Sequence, residues 1–185
     1  PNMPDAVSEV YKTVDGVELE IHIFTPEGHA PTDSRPGIVF FFGGGFKNGS
    51  PEQFEKHCEH FAARGTVAMT ADYRVASRHD TEPIHSVRDG KSAMRWVRTN
   101  ASRLGVDPER IAAGGGSAGG LVAACVGAVP GLDDAGEDLA ISSGADAMVL
   151  FNPAWMGKES KRMADSDLPY YSIREGLPPS IMMFG

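Results

Sequence analysis

The stretch Gly114–Gly120 constrains the fold of this chain more than any other, because it holds five glycines around one serine. It follows the short apolar run Ile111–Ala113 and opens a helix of small residues, Leu121–Val126. Residues 115–119 fit the pattern G-x-S-x-G, a sharp turn from strand to helix that exposes a serine as a nucleophile. The glycines suit that turn because its backbone is strained and neighbouring side chains would clash. The pattern therefore predicts a βα unit with Ser117 at its turn, facing the amide-rich start of a helix.

Two other interpretations of the same stretch remain open at this point. Gly114, Gly116 and Gly119 also fit G-x-G-x-x-G, a dinucleotide-binding pattern that requires an acidic residue about 20 positions further on, at a strand end. Asp133 and Asp134 lie near that distance, but the residues around them are typical of a loop. A glycine-rich helix start without any chemistry is the third interpretation.

A second glycine motif favours the nucleophile turn. The apolar run Ile38–Phe42 is typical of a buried strand, and Gly43–Gly45 follows it directly. Glycines at that place let backbone N–H groups approach a ligand, and in hydrolases with this topology such a loop supplies half of an oxyanion hole. A flexible loop is the alternative, but two such motifs in this order make it the weaker interpretation.

With these residues the chain resembles the α/β-hydrolase fold, in the branch of hormone-sensitive-lipase-like esterases and acetylesterases or carbohydrate esterases. One position departs from the family's pattern, because Phe42 stands where the family usually has a histidine that orients the glycine loop. The resemblance covers nearly all of the chain after the first strands and rests on residues 42–46, 48–51, 72–74, 89–98, 107–111 and 151–153, together with the serine turn.

The resemblance implies a serine carboxylic-ester hydrolase that forms an acyl-enzyme on Ser117. Backbone N–H groups of Gly44, Gly45 and Ala118 would hold the oxyanion. A short acyl group such as acetyl, on a small-molecule ester that could be a carbohydrate, is the implied substrate, and no cofactor or metal is implied. A lipase or serine peptidase of the same fold, an inactive fragment, and a nucleotide-binding α/β protein are the alternatives.

The catalytic triad cannot be completed from these residues. All six histidines precede Ser117, whereas this fold places the acid and then the histidine after the serine. In the family the acid follows the strand that we predict at Ile181–Phe184. We therefore expect residues 1–185 to form one α/β-hydrolase domain without its C-terminal strand and helix. A missing segment or a second chain would then supply both groups; His79 or His85 is a much weaker substitute.

Composition limits the partners. The 185 residues carry a formal charge of −8, which argues against binding nucleic acid or an anionic membrane. No apolar run approaches the roughly 20 residues of a membrane span. The sequence leaves the compartment unknown: a soluble cytoplasmic protein is the default, and a mature secreted form is the alternative. Cys58 and Cys125 sit among apolar neighbours and are expected to be buried free thiols.

Strands alternating with helices predict a mostly parallel sheet covered on both faces. Its last strand would be an exposed apolar edge, so the 185-residue chain is expected to be poorly soluble or oligomeric. Arg74 is expected to pair with Asp89 or Asp72, and His57, Glu59 and His60 to form a solvated helix face rather than a metal site. A substrate pocket is a possible role for Trp155, Met156, Tyr170 and Tyr171. Strands are predicted at Val7–Val14, Val17–Phe24, Ile38–Phe42, Thr66–Ala71, Arg110–Ala113, Ala147–Phe151 and Ser180–Phe184, and helices at Pro51–Arg64, His85–Ala101 and Ser117–Val129. Asp15–Gly16 is expected to join the first two strands as a hairpin, Ser50 to cap the first helix, and Val75–Pro83 to form a polar loop.

Overall fold

A seven-stranded sheet organises the chain in a computed structural model that describes residues 1–155 and 163–185. The strands are β1 Val7–Val14, β2 Val17–Phe24, β3 Arg35–Phe41, β4 Val67–Ala71, β5 Val106–Gly116, β6 Ala147–Phe151 and β7 Ser180–Met183. The α-helices are α1 Glu55–Ala62, α2 Ala76–His79, α3 Pro83–Thr99 and α4 Ala118–Ala128, and short 3₁₀ turns cover Pro51–Phe54, Asp165–Asp167 and Pro169–Ser172.

The sheet is mostly parallel, as the sequence predicts. Its strand order is β1-β2-β4-β3-β5-β6-β7. The hairpin β1–β2 turns at Asp15 and Gly16, both with positive φ, and β2 also runs antiparallel to β4. The remaining neighbours pair in parallel, so the carboxyl ends of β3, β4, β5, β6 and β7 meet at one edge. In open α/β sheets that edge is where ligands bind.

Helices cover both faces of the sheet, as two neighbouring residues of β3 show. The Phe40 ring stacks on Phe54, with centroids 4.9 Å apart, and Phe54 immediately precedes α1. Phe41 points to the opposite face, because successive strand residues alternate. There a Cβ built on Gly90 of α3 would lie 2.5 Å from Val122 of α4 and 3.5 Å from the Phe41 ring. The two helices therefore pack closely against each other over Phe41.

The predicted helix Pro51–Arg64 is divided in the structure. Pro51–Phe54 forms a 3₁₀ turn, and the α-helix runs only from Glu55 to Ala62. The Ser50 hydroxyl accepts the N–H of Glu52 at 3.4 Å, which confirms the predicted cap. Proline at the first position suits either type of helix, so the sequence did not distinguish them.

Several other boundaries differ from the sequence predictions; β3, for example, covers Arg35–Phe41 rather than Ile38–Phe42. α3 begins at Pro83 rather than His85, because Glu82 and His85 cap it reciprocally. The expected loop between residues 75 and 83 contains one helical turn, α2, which is followed by Asp80 with φ 50°. β5 extends back to Val106 rather than Arg110, pairing with Arg35 before its register shifts.

A buried ion pair joins the loop after β4 to α3. Arg74 is 3% exposed, and its guanidinium donates to both carboxylate oxygens of Asp89, which is fully buried. Lys12 of β1 donates to the same carboxylate at 2.7 Å. Although burial opposes it, pairing with Asp89 raises the pKa of Arg74. The predicted partner Asp89 is confirmed, while Asp72 pairs with Arg78 instead.

Apolar side chains remain exposed at the β7 edge. All four residues of this strand are exposed, including Ile181 at 55%, and Phe184 beyond it is 68% exposed. Cys58 and Cys125 are buried and unpaired, as predicted, and burial raises the pKa of Cys125 to about 12. Among the described residues, no helix combines the length and the apolar character needed to cross a bilayer.

Candidate active site

Ser117 lies at the predicted turn, between the end of β5 at Gly116 and the start of α4 at Ala118. Its backbone is strained, with φ 52° and ψ −116°. The surrounding chain holds this conformation from both sides: the Ser117 N–H donates to the Phe151 carbonyl at 2.9 Å, and the Ser117 carbonyl accepts the N–H groups of Leu121 and Ala154. A strained serine fixed at the carboxyl edge of the sheet is the arrangement expected of a nucleophile.

Close backbone contact explains the glycines of the turn. A Cβ built on Gly119 would lie 2.0 Å from the Phe41 carbonyl oxygen and 2.3 Å from that of Phe42. No side chain fits in that space, so glycine is what allows the first turn of α4 to lie directly against the end of β3. That contact brings the helix start next to Ser117, and the first N–H groups of a helix have no partner within the helix itself.

The glycine loop after β3 also needs its glycines. Gly44 has φ 141° and Gly45 φ 65°, both in the region that side chains disfavour. The Gly44 carbonyl accepts the N–H groups of Lys47 and Asn48 at 3.1 and 3.2 Å, closing a tight turn. A Cβ on Gly44 would lie 2.0 Å from the Asn48 carbonyl oxygen.

Phe42 occupies the position where the resembling family has a histidine. Its side chain is fully buried and stacks on the Tyr73 ring, with centroids 4.0 Å apart and planes at 10°. The Tyr73 hydroxyl donates to the Phe42 carbonyl, and the Gly43 N–H donates to Oε1 of Gln53 at 2.6 Å. Burial raises the pKa of Tyr73, which keeps its hydroxyl protonated and able to donate.

A cavity of about 550 Å³ opens over these elements. Ser117 and Gly44 both line it. The other two predicted oxyanion residues, Gly45 and Ala118, do not line the cavity, although each directly follows a residue that does. Its aromatic wall and the polar groups that follow the glycine loop were not predicted from the sequence. They could have been found, because the first residues of a helix after a parallel strand lie at the carboxyl edge of the sheet. The lining residues are Gly43, Gly44, Asn48, Gly49, Gln53, Phe54, His57, Gly116, Ser117, Phe151 and Asn152.

His57 is the histidine that the structure brings to this cavity. Its ring lies 4.9 Å from that of Phe54 and 5.4 Å from that of Phe151, measured between centroids. Burial, and to a lesser extent the neighbouring His60, lower the pKa of His57, so the ring is neutral at pH 7. The histidines considered from sequence lie elsewhere: His79 accepts the N–H of Val75, and His85 caps α3.

Comparison with known proteins identifies the family. The BD-FAE family matches residues 21–150, which is most of the chain. The chain belongs to the BD-FAE family. Esterase 2 of Thermogutta terrifontis is 51% identical and superposes with a TM-score of 0.94 over 98% of this chain and 72% of its own. The fold is therefore the α/β-hydrolase fold that the sequence predicts.

Curated relatives of this BD-FAE chain are longer than it is. Carboxylesterase NlhH of Mycobacterium tuberculosis is 29% identical over 166 residues, which is 89% of this chain and 46% of NlhH. Esterase LipI of the same species is 34% identical over 105 residues, or 32% of its length. The chain thus spans about half the length, or less, of the curated relatives that it matches.

The other predicted sites of the BD-FAE chain do not line the cavity that holds Ser117. Of the four residues predicted to form a substrate pocket, Trp155 and Tyr170 line a separate apolar pocket of about 410 Å³ beside β7. Tyr171 does not line that pocket, and Met156 lies outside the described residues. Asp133 pairs with Arg95 and Asp134 with Lys12 in a loop, not at a strand end, which is unlike a dinucleotide site. Within residues 1–155 and 163–185, no three His, Cys, Asp or Glu side chains group as metal ligands.

Proposed function

We propose that the protein is a serine carboxylic-ester hydrolase that cleaves small esters through an acyl-enzyme on Ser117. The observation that carries this proposal is the strained Ser117, which lines one cavity with Gly44 of the glycine loop. Relatives named carboxylesterase and esterase support the same reaction. It matters that Ser117 and the glycine loop line the same cavity, because acyl transfer needs the nucleophile and the oxyanion donors around one carbonyl group.

In the first step, the Ser117 hydroxyl oxygen would attack the ester carbonyl carbon while a base removes the hydroxyl proton. The carbonyl π electrons move onto the oxygen, and N–H groups of Gly44, Gly45 and Ala118 would stabilise the resulting charge. Collapse of the tetrahedral intermediate releases the alcohol, which takes a proton, and leaves the acyl group on Ser117. Water then attacks the acyl-enzyme by the same route and releases the carboxylic acid.

The base is proposed to be a histidine outside these 185 residues, on a following segment or a second chain. In the resembling family the acid and the histidine follow the strand that corresponds to β7. The N–H of Gly185 donates to Oδ1 of Asn152 at 2.9 Å, and Asn152 lines the cavity. Polypeptide continuing beyond residue 185 would therefore start at the edge of the cavity that Ser117 lines. His57 is the competing base, because it is the histidine that already lines this cavity.

A short acyl group is the proposed specificity. Structures of Thermogutta terrifontis esterase 2 have been solved with propionate bound and with butyrate bound. The resemblance to acetylesterases extends the proposal to acetyl esters, including those of carbohydrates. A lipase or a serine peptidase would share the turn and the glycine loop, and substrates distinguish them.

The test is hydrolysis of p-nitrophenyl acetate, butyrate and palmitate, beside an N-acyl peptide amide, by the purified protein. Ser117→Ala is expected to lower turnover of the acetate by at least about a thousandfold, to the buffer rate. Ser102→Ala, at an exposed serine in the turn after α3, is the matched control and is expected to match the wild type. Hydrolysis that survives Ser117→Ala would contradict the proposal, and preference for palmitate would indicate a lipase.

His57→Gln separates the two possible bases. We expect it to retain most of the turnover, because the base is proposed to lie outside these residues. A loss as large as that of Ser117→Ala, with unchanged thermal stability, would assign the base to His57 instead.

A further inference from the structure

One peptide group of the glycine loop is held at both of its polar ends. The peptide that links Phe42 to Gly43 presents its carbonyl to the Tyr73 hydroxyl and its N–H to Oε1 of Gln53, the latter at 2.6 Å. A peptide is planar, and its C=O and N–H point in opposite directions. Bonds at both ends therefore fix the rotation of this plane, which neither bond could do as firmly alone.

The fixed peptide lies against the nucleophile. A Cβ built on Gly43 would lie 3.2 Å from Cβ of Ser117 and 3.4 Å from Oε1 of Gln53. The same point is 2.9 Å from the Gly116 carbonyl oxygen. Gln53, the loop and the serine turn thus converge on one small volume, and Gly44 is the next residue along the chain.

Gln53 projects from a rigid support. It belongs to the 3₁₀ turn Pro51–Phe54, which Ser50 caps at its start. The hydroxyl of Thr70 on β4 donates to the Pro51 carbonyl at 3.0 Å, and the buried Phe54 ring stacks on Phe40 of β3. The turn is therefore attached to two central strands. Its Gln53 side chain can hold the glycine loop at a fixed place relative to those strands.

Tyr73 is supported equally well. It is fully buried and lies two residues after the end of β4, where its ring stacks on Phe42. The Tyr73 N–H donates to the Asp72 side chain at 2.8 Å, and the next residue, Arg74, is in the buried pair with Asp89. Both side chains that hold the Phe42–Gly43 peptide thus come from parts of the fold that are themselves fixed.

We propose that Gln53 and Tyr73 form a peptide clamp, and that this clamp positions the oxyanion donors in place of the histidine that Phe42 replaces. Both are positioning residues, because they act on the substrate through the loop. The catalytic part of this inference rests on the proposed function. The structural part concerns only the Phe42–Gly43 peptide and is tested without any turnover.

Amide exchange tests the structural part. Gly43 N–H exchange is measured by NMR for the wild type, Gln53→Met, which has similar length but no strong acceptor, and Gln53→Glu, which keeps an acceptor. Lys56→Ala, an exposed residue of α1, is the control. We expect exchange at Gly43 to be at least about tenfold faster in Gln53→Met and near the wild-type rate in the other two. Equal exchange in Gln53→Met and the wild type would overturn the clamp.

Kinetics test the catalytic part on a short-chain p-nitrophenyl ester. Removing an oxyanion donor typically lowers kcat by about 10²–10³-fold, and misplacing one is expected to cost less. For Gln53→Met we expect kcat to fall about 10- to 100-fold, with KM within about threefold of the wild type, because the oxyanion forms only after binding. A wild-type kcat in Gln53→Met, or a rise in KM alone, would overturn the positioning role.

A double-mutant cycle with Tyr73→Phe tests whether the two residues act together. Because both hold one peptide, the double variant is expected to lose little more kcat than the worse single variant. Losses that multiply would show two independent effects and contradict a shared clamp. If the wild type itself has no Ser117-dependent turnover, the proposed function fails, while the exchange experiment still decides the structural part.

Discussion

Replacing Gly119 by alanine tests the packing that creates the serine turn. The added Cβ would lie 2.0 and 2.3 Å from two β3 carbonyl oxygens, those of Phe41 and Phe42, where about 3.3 Å is the usual approach of a carbon to such an oxygen. The obstacle is backbone, so α4 must move by roughly 1 Å away from the sheet. Overpacking of this kind costs about 1–3 kcal/mol, and a rigid obstacle argues for the upper end.

A helix normally gains up to about 1 kcal/mol when glycine becomes alanine, which offsets part of that cost. We therefore expect Gly119→Ala to lower the free energy of unfolding by about 2 kcal/mol, and Tm by about 4–8 °C for a chain of this length. The assay is urea unfolding followed by circular dichroism, with thermal unfolding beside it.

Gly127→Ala in the same helix is the matched control. Its added Cβ would approach Met148 Sδ at 2.3 Å, but a methionine side chain can move aside. We expect a change within about 1 kcal/mol in either direction. The reasoning is refuted if Gly119→Ala is as stable as the wild type, or if Gly127→Ala is the more damaging of the two.

Three further perturbations test other parts of the structure. Asp89→Asn removes the carboxylate that the buried Arg74 shares with Lys12, and Arg74 then keeps its contacts with Asp134 at 3.3 Å and Asp15 at 3.4 Å. The free energy of unfolding in urea is expected to fall by about 3 kcal/mol, the lower end for a broken buried pair; a loss under 1 kcal/mol would contradict this. Burial lowers the pKa of His22, so the folded state disfavours the proton that the unfolded chain binds. Stability is expected to fall as pH drops below about 6.5, and less so in His22→Gln, which a pH series of urea titrations would show. The 185-residue chain is expected to self-associate through the exposed β7 edge, and Ile181→Lys to reduce this in light scattering; a monodisperse wild-type monomer would count against it.

The sequence predicted the parts of the fold that local chemistry determines. Apolar runs indicated the central strands, and glycine patterns indicated both the serine turn and the loop after β3. Glycine is common there because tight turns with positive φ, such as 52° at Ser117 and 141° at Gly44, leave little room for side chains. The hairpin at Asp15–Gly16 was equally clear. Each of these features depends on residues that are neighbours in the chain.

Long-range packing determined what the sequence did not reveal. The contact of Gln53 with Gly43 joins residues ten positions apart across a 3₁₀ turn that reads like the start of an ordinary helix. His57 was predicted only to lie on a solvated helix face, because nothing local shows that its ring faces Phe151 of a distant strand. The proposed compensation for Phe42 also depends on Tyr73, which is 31 residues away and lies just after the neighbouring strand β4.

The most direct measurement of the central claim is the trapping of the acyl-enzyme. The purified protein is mixed with p-nitrophenyl butyrate, quenched in acid within one turnover, digested, and sequenced by tandem mass spectrometry. We expect one butyryl group on the peptide that contains Ser117, attached to that residue and absent from Ser117→Ala. A butyryl group on another residue, or ester hydrolysis that continues in Ser117→Ala, would contradict the account.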